Sequence, residues 1–389
     1  MVYPVVPDVR RYAVKVTEPA ATPPRVVLVY LLDLRSHRQI LERTAAQLTA
    51  FQDSGLDAVA VCLDRGLPGE FPSAVEALPS RGPRLLRAFL DARRLRTHLE
   101  KEHPAAVVVR YGFASHTLVR IARRFPMILE IHSDDTRELP SGRLVRAYAA
   151  VSNRLYRSRL LHAVRGAMFV TRALVSLPVF AEITGPRAVI PNGVVLPAHA
   201  LPVPQNDRPV VGYSVGYAAP WQGLDRLAAL ADALPEFTFR LVAPAPVIAE
   251  AVRDSRVEII IAGDIASYRA AVAGFDVALG GLALDRKGIE VASALKVRES
   301  VSLGIPTLLF SRDEDLEGID SATLTTVARG SWTATEVAPT VREFVRGAVG
   351  ARIPDTVRQL VDVRTKAERY AALVHEVLAD GERTQPAHR

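Results

Sequence analysis

Two series of short apolar segments, separated by a proline-rich stretch, limit what this chain can fold into more than any other feature. The first series extends over residues 26–193 and the second over 209–328, and in both the apolar segments alternate with helical stretches. Continuous apolar strands spaced by helices are typical of a parallel sheet covered on both faces. The stretch 197–208 contains three prolines and shows no periodicity. The sequence therefore predicts an α/β fold with two doubly wound, Rossmann-like domains that face each other across a cleft.

The same pattern sets the predicted domain boundaries. We assign residues 1–196 to an N-terminal domain, 197–208 to a linker and 209–364 to a C-terminal domain. Apolar residues recur at helical spacing near the end of the chain, so 365–389 is predicted to be a helix and tail returning to the first domain. In open parallel sheets ligands bind beyond the carboxyl ends of the strands, which makes the cleft between the domains the predicted site.

Composition excludes several classes of protein. No apolar run reaches about 18 residues, and the opening residues lack the apolar core of a signal peptide, so we expect a cytoplasmic protein. The single cysteine, Cys62, cannot form a cysteine-based metal site. The net charge of +7 indicates acidic partners, although it comes almost wholly from arginine. No basic motif interleaved with aromatic residues is present, so nucleic acid is not an expected partner.

Residues 292–306, ASALKVRESVSLGIP, place two cations in the first turn of a predicted helix. Ser293 is expected to cap this helix and Gly304 to close it. Lys296 and Arg298 then lie near the positive end of the helix dipole, which favours negative charge by about 0.3–1 kcal/mol per group. Cations at that end indicate that an anion binds between them, and we infer a diphosphate.

Glu299 lies three residues after Lys296 on the same helical face, where its carboxylate can accept two hydrogen bonds from vicinal hydroxyls. A diphosphate beside a diol describes a nucleotide sugar. The alternative interpretation is an ordinary helix that carries a Lys–Glu surface pair.

Three further motifs, taken with this segment, resemble the GT-B glycosyltransferases and in particular the retaining members of family 4. They are VIPNGV at 189–194, GYSVGYAAPWQGL at 212–224 and DVALGGL at 276–282, and the resemblance covers roughly 26–380. It implies a glycosyltransferase that moves a sugar from a nucleotide-sugar donor to a glycan or lipid-linked acceptor with retention of configuration, in polysaccharide or glycoconjugate biosynthesis. The Gly-Gly loop usual after the first strand is absent, and LDLRSHRQ at 32–39 stands in its place.

The resemblance implies roles for residues of the second domain. Glu299 would bind the ribose hydroxyls, and backbone amides at the helix start would cradle the diphosphate, with charge added by Lys296 or Arg298. Gln222 stands where relatives often carry lysine, and Lys287 would supply part of the missing charge unless its loop is simply solvated. Contacts near residues 263–265 are expected to contribute to the choice of base and sugar in the donor. The predicted donor-binding residues are Gly216, Gln222, Gly223, Gly263, Asp264, Ile265, Lys287, Ser293, Ala294, Leu295, Lys296, Arg298 and Glu299.

Two residues are predicted to act at the reacting sugar. Many relatives hold that sugar with a glutamate eight positions before the ribose glutamate; here the position is Val291, and Glu290 would serve if a one-residue bulge brought it into place. His132 ends the segment MILEIHS, and the resemblance implies that it touches the donor sugar or the acceptor hydroxyl. A neighbouring carboxylate is expected to raise its pKa or to orient its ring. The alternative is a histidine satisfied by local hydrogen bonds.

No cofactor or metal is expected, because the resemblance implies that the leaving diphosphate itself takes the acceptor proton. The acidic pairs Asp134–Asp135 and Asp313–Asp315 are interpreted as solvated turns rather than metal ligands. The arginine-rich, amphipathic segment 83–102 is a candidate for peripheral contact with an anionic membrane at the inner face of the cell, although a helix that covers a sheet shows the same pattern.

Two other classes of protein stay open from the sequence. One is a non-catalytic protein of the same fold that binds a nucleotide sugar or a partner protein. The other is a sugar-nucleotide epimerase, which shares the two-domain architecture; its acid–base residues are not recognisable in this sequence.

Overall fold

The first series of apolar segments forms a seven-stranded sheet in the computed structural model, which describes residues 22–36, 38–67, 70–81, 87–134, 143–327 and 332–384. The strands are β1 Arg25–Tyr30, β2 Asp57–Asp64, β3 Val75–Pro79, β4 Ala106–Tyr111, β5 Met127–Ile131, β6 Gly166–Phe169 and β7 Arg187–Val189. They lie in the order β3-β2-β1-β4-β5-β6-β7, and every neighbouring pair is parallel. The carboxyl ends of all seven strands therefore meet at one edge.

The second series forms a six-stranded sheet and a separate pair of short strands. Their bounds are β8 Val210–Ser214, β9 Thr238–Ala243, β10 Glu258–Ile261, β11 Val277–Leu279, β12 Val291–Ala292, β13 Thr307–Leu309, β14 Arg312–Asp313 and β15 Leu324–Thr326. The larger sheet has the order β10-β9-β8-β11-β13-β15 and is parallel throughout, while β12 pairs with β14. In each sheet the order reverses next to the first strand, which is where ligands bind in this kind of architecture.

Helices cover both faces of the sheets. Alternate residues of β1 enter two different cores, Val27 and Val29 on one face and Val26 and Leu28 on the other. This explains why the strand reads as a continuous apolar run. No described helix is both long enough and apolar enough to span a membrane. The helices are α1 Arg38–Asp53, α2 Arg87–Glu102, α3 His116–Arg124, α4 Arg143–Ala163, α5 Arg172–Val175, α6 Leu224–Ala233, α7 Pro246–Ala249, α8 Ile265–Ala273, α9 Leu295–Ser302, α10 Ala334–Ala348, α11 Asp355–Arg358 and α12 Val363–Thr384.

The last helix, α12, packs on the first domain. The rings of Tyr370 and Phe51, which lies in α1, meet edge to face with centroids 5.5 Å apart, and Val374 is fully buried in the same core. The predicted fold class is thus confirmed: two parallel α/β sheets, with a C-terminal helix that crosses back. The boundaries predicted between the domains stay a prediction; the strands of the two large sheets lie within 25–189 and 210–326.

Three strands are missing from the sequence-based prediction. β3 is an edge strand in which Val75 alone is buried, so its sequence shows neither an apolar run nor a clear alternation. β12 and β14 have two residues each, too few for a periodic signal. The end of α9 was predicted correctly, because Gly304 follows the helix with φ of 79°, a left-handed conformation that favours glycine.

Candidate functional site

The start of α9 differs from its prediction in one respect. Ala294, not Ser293, occupies the N-cap position, and no side chain caps the helix. The Ser293 hydroxyl instead accepts a hydrogen bond from the backbone N–H of Asn192 at 2.7 Å, and the Ser293 carbonyl accepts one from Asn192 Nδ2 at 2.7 Å. The prediction of a Ser293 cap is therefore wrong, because this side chain ties the second domain to the first. The backbone amides at the helix start have no side-chain acceptor at the cap.

Lys296 lies in the first turn of α9 and points toward the loop after β8. Its Nζ donates to the hydroxyl of Tyr213 at 2.8 Å, the carbonyl of Ser214 at 3.3 Å and Oε1 of Gln222 at 2.8 Å. It also lies 4.0 Å from the centre of the Tyr213 ring. All these partners are neutral, and burial lowers the pKa of Lys296 to about 7. The ammonium is thus partly desolvated without a compensating charge.

Arg298 faces the opposite way. Its side chain is fully buried and donates to both oxygens of Asp313, at 2.6 and 3.0 Å, to Asp315 at 2.9 Å, and to the carbonyl of Asn192. Burial alone would lower the pKa of Arg298, but the two carboxylates raise it above its ordinary value. One prediction is corrected here: Asp313–Asp315 is not a solvated turn, because both carboxylates hold the buried Arg298. The Arg298 guanidinium lies in these ion pairs, and its contact with a diphosphate stays a prediction.

Glu299 faces a cavity of about 220 Å³ between the domains. The cavity is lined by Glu42 and Arg43 of α1, the segment 194–197, Arg269 of α8 and the inner face of α9. The hydroxyl of Tyr268 donates to Oε2 of Glu299 at 2.8 Å. Burial, followed by the charge of Glu299, raises the pKa of Tyr268 well above its ordinary value, so the phenol stays a donor.

Two glycines shape the loop that Lys296 reaches. Gly223 has φ of 68°, and a Cβ placed there would lie 2.9 Å from the Cβ atoms of Leu282 and Ala283. Only glycine allows these two loops to approach so closely. Gly216 is exposed, with open space where a Cβ would lie. The loop after β8 thus packs on the loop after β11 at one end and is open to the cleft at the other.

Lys287, the other predicted source of charge, has a local partner: it lies 4.0 Å from the centre of the Trp221 ring. Its neighbour Arg286 pairs with Asp225 at 2.5 Å. Asp264 forms a capping box with Ser267 at the start of α8, beside the exposed Gly263 and the half-buried Ile265. Arg286, Lys287 and Asp264 thus have local structural partners, and contact of Lys287 and Asp264 with a donor stays a prediction.

Glu290 is exposed and lies 3.6 Å from Arg312. The pairing of β12 with β14 is regular, Val291 opposite Arg312, and Val291 points inward with 6% of its surface exposed. Neighbouring residues of a strand point to opposite faces, so a regular register keeps Glu290 outward. The bulge invoked to bring Glu290 to the position of Val291 is not formed between these strands, and its role stays a prediction.

His132 belongs to a buried cluster at the carboxyl edge of the first sheet. Its Nε2 lies 2.5 Å from Oε1 of Glu130 and 3.1 Å from Nη1 of Arg110, and Nη2 of Arg43 donates to the same Glu130 oxygen at 2.7 Å. Burial, helped by Arg110, lowers the pKa of His132 to about 3. The expected rise in this pKa is therefore wrong, because burial and the nearby arginines outweigh Glu130. Asp135 lies outside the described residues.

Several solved structures resemble this one along nearly its whole length. Sucrose-phosphate synthase from Thermosynechococcus elongatus matches with a TM-score of 0.66 and 14% identity, over 92% of this chain and 100% of that one. The lipopolysaccharide outer core galactosyltransferase WaaB matches with 0.60 and 11%, over 90% and 99%. HepE from Anabaena, in complex with UDP-glucose, matches with 0.56 and 14%, over 93% and 100%. The chain has the GT-B fold. No protein-family model matches the sequence, and no curated protein sequence matches it.

In this GT-B structure, Asn192 joins the two halves of the site. Its backbone and side chain bind Ser293, its carbonyl accepts from Arg298, and its Oδ1 accepts from Arg43 at 2.6 Å. Arg43 in turn holds Glu130, the partner of His132. Sequence reasoning named the VIPNGV turn but not this residue, and it left Arg43 out entirely. The signal that was available was an asparagine next to a glycine at the end of a predicted strand.

Proposed function

We propose that this chain is a glycosyltransferase that moves a sugar from a nucleotide-sugar donor to a glycan or lipid-linked acceptor, with retention of configuration and without a metal. The proposed setting is polysaccharide or glycoconjugate biosynthesis in the cytoplasm or at the inner face of the cell membrane. The observation that carries the proposal is the setting of Lys296, a partly buried cation at a helix N-terminus whose hydrogen-bond partners are all neutral. A diphosphate at the start of α9 would supply the missing negative charge.

The nucleoside is proposed to occupy the cavity beside Glu299. Tyr268 fixes one oxygen of that carboxylate, and the carboxylate faces the space between α8 and α1. A ribose diol there would donate to the carboxylate, while the diphosphate would follow toward the backbone amides of Ala294 and Leu295. Glu299 and Lys296 lie about one turn apart on α9, the separation that a ribose and its phosphates require.

The reacting sugar would then lie between the two domains. In the proposed step, the bond from the anomeric carbon to the diphosphate oxygen breaks as the acceptor oxygen bonds to the same face, and the leaving diphosphate takes the acceptor proton. Lys296, protonated when the donor is bound, would stabilise the negative charge that develops on the leaving group. His132 would act as a neutral hydrogen-bonding group to a hydroxyl, since its low pKa makes it a poor base at neutral pH.

The first test is ligand-dependent thermal stabilisation of the purified protein by UDP, UDP-glucose, GDP, ADP and dTDP, with and without EDTA. We expect one base to stabilise the native state in proportion to its affinity, and the effect to persist in EDTA. Glu299→Ala should weaken that binding by about 1.5–3 kcal/mol, the range for hydrogen bonds to a charged group, and the exposed Glu250→Ala should not. Stabilisation by none of the nucleotides would overturn the proposal.

A non-catalytic nucleotide-sugar-binding protein is the second candidate, favoured by the buried Val291 and the outward Glu290. Slow hydrolysis of the donor in the absence of acceptor separates the two. A transferase releases free sugar at a low rate, whereas a protein that only binds the donor releases none.

A further inference from the structure

Helix α4 carries an apolar stripe on its solvent face. Tyr148, Val151 and Leu155 are 55%, 58% and 54% exposed. Their spacing of three and four residues puts them on one side of the helix. The ring of Phe113, which follows β4, meets Tyr148 edge to face with centroids 6.0 Å apart. The stripe therefore continues toward the carboxyl edge of the first sheet, where His132 lies.

The charge of α4 is of one sign. Its 21 residues include five arginines and no aspartate or glutamate. Arg154 lies three residues after Val151 and Arg159 four residues after Leu155, so these two arginines border the C-terminal part of the stripe. Both are exposed.

The opposite face of α4 is fixed to the domain. Leu160 and Leu161 are fully buried, the Ser152 hydroxyl donates to the carbonyl of Ala114 at 2.8 Å, and Asn153 Oδ1 accepts from the N–H of Ala114 at 2.7 Å. These buried contacts hold the helix in one rotation about its axis. The apolar stripe consequently cannot turn inward without breaking them.

Helix α2, the described part of the segment 83–102, lacks this arrangement. Its apolar residues Leu95 and Leu99 are buried in the core of the first domain. Its Arg94 and Arg96 lie 3.5 Å from Asp91 and Glu100, so its charge is largely balanced. The amphipathic pattern of α2 reflects packing on the sheet, which makes α2 a natural control for α4.

We propose that α4 docks this protein on an anionic phospholipid bilayer, lying parallel to the surface with Tyr148, Val151 and Leu155 among the acyl chains and the arginines on lipid phosphates. An amphipathic helix with a basic border binds anionic membranes by this combination of apolar burial and electrostatic attraction. The surface does not depend on the proposed transfer reaction, since a protein that only binds nucleotide sugars would use it as well.

The test is co-sedimentation of the full chain with vesicles of phosphatidylglycerol and phosphatidylcholine in equal parts, and with phosphatidylcholine alone. We expect binding to the anionic vesicles that weakens as salt is added. The triple change Tyr148→Ser, Val151→Ser and Leu155→Ser should reduce partitioning roughly tenfold or more, and the pair Arg154→Gln and Arg159→Gln by a similar factor. The matched pair on α2, Arg94→Gln and Arg96→Gln, should leave partitioning within about twofold.

Thermal unfolding of each variant checks that it folds, and the serine triple and the arginine pair on α4 test the proposal independently. Absence of wild-type binding to anionic vesicles would overturn the proposal, as would an equal loss in the α2 pair. Concentration-dependent dimerisation of the wild type that the serine triple abolishes, without vesicle binding, would assign the stripe to a second copy of the chain instead. Because vesicle binding is measured without nucleotide, its failure leaves the proposed donor site untouched.

Discussion

Lys296 and Arg298 lie two residues apart on one helix, and the protein treats their charges in opposite ways. Arg298 is enclosed with two carboxylates, Asp313 at 2.6 Å and Asp315 at 2.9 Å. Lys296 is surrounded by a phenol, a carbonyl and an amide. Lys366 also pairs with Asp315 at 2.6 Å, so the first arrangement holds two cations and two carboxylates, whereas the hydrogen-bond partners of Lys296 are all neutral. Of the two cations, Lys296 is therefore the one that we propose binds the diphosphate.

The largest effect is expected from breaking the compensated member of the pair. Arg298→Met leaves the buried Asp313 and the half-buried Asp315 without their guanidinium and should cost about 3–5 kcal/mol of unfolding free energy. Chemical denaturation measures this change, with the exposed Arg312→Met as control, for which surface pairing predicts about 0–1 kcal/mol. A loss at Arg298 no larger than that of the control would show that its ion pairs are not structural.

The uncompensated member should respond the other way. Lys296→Met removes a partly desolvated charge, so the unfolding midpoint should stay near the wild-type value while donor binding weakens by about 1.5–3 kcal/mol. Isothermal titration with the nucleotide found by the stabilisation screen gives the affinity, and the exposed Lys101→Met is the control. Loss of stability with unchanged affinity would reverse the comparison between the two cations.

The pH dependence of binding sharpens the same point. The pKa of Lys296 is about 7 in the free protein, and a bound diphosphate raises it, so binding takes up a proton at alkaline pH. Affinity should therefore fall by up to roughly tenfold for each pH unit above 7. UDP-glucose suits this measurement because its two phosphates do not titrate there. The Lys296→Met protein should show a flat profile, and a sloping one would mean that another group is responsible.

The smallest effect is expected in the first domain, where His132 provides a third case. Its pKa is about 3 in the folded protein against an ordinary value of 6.5, so between these values the unfolded chain binds a proton that the folded chain does not. Stability should fall as pH drops from 6.5, by less than about 1.4 kcal/mol per unit. In the His132→Asn protein, the urea midpoint of unfolding should change less between pH 6.5 and 4.5 than it does in the wild type. An unchanged slope would contradict the assigned pKa.

The sheets could be predicted because strands buried on both faces give continuous apolar runs with helices between them. Lys296 and Glu299 could be placed on one helix for a similar reason, since helical spacing is local. Arg298 could not be distinguished from Lys296, because its partners Asp313 and Asp315 lie on or just after β14, a two-residue strand without a sequence signal. Ser293 failed as a cap for the same physical reason: its partner, Asn192, lies 101 residues away.

The cluster around His132 shows where reasoning from sequence stops. Glu130 lies in an apolar strand, and its partner Arg43 is 87 residues distant on α1. Nothing local to either residue indicates that the two charges meet. The pKa of His132 is lowered by burial and by the nearby arginines, and neither can be read from the residues next to His132 in the sequence.

The return of α12 to the first domain has a consequence for how the chain is made. Tyr370, Val374 and Val377 belong to the core that contains Phe51 and the buried face of β1. A ribosome makes Tyr370 340 residues after Tyr30, the last residue of β1. The first domain is therefore completed only after the strands of the second have been made, and one face of its sheet lacks part of its cover during that time.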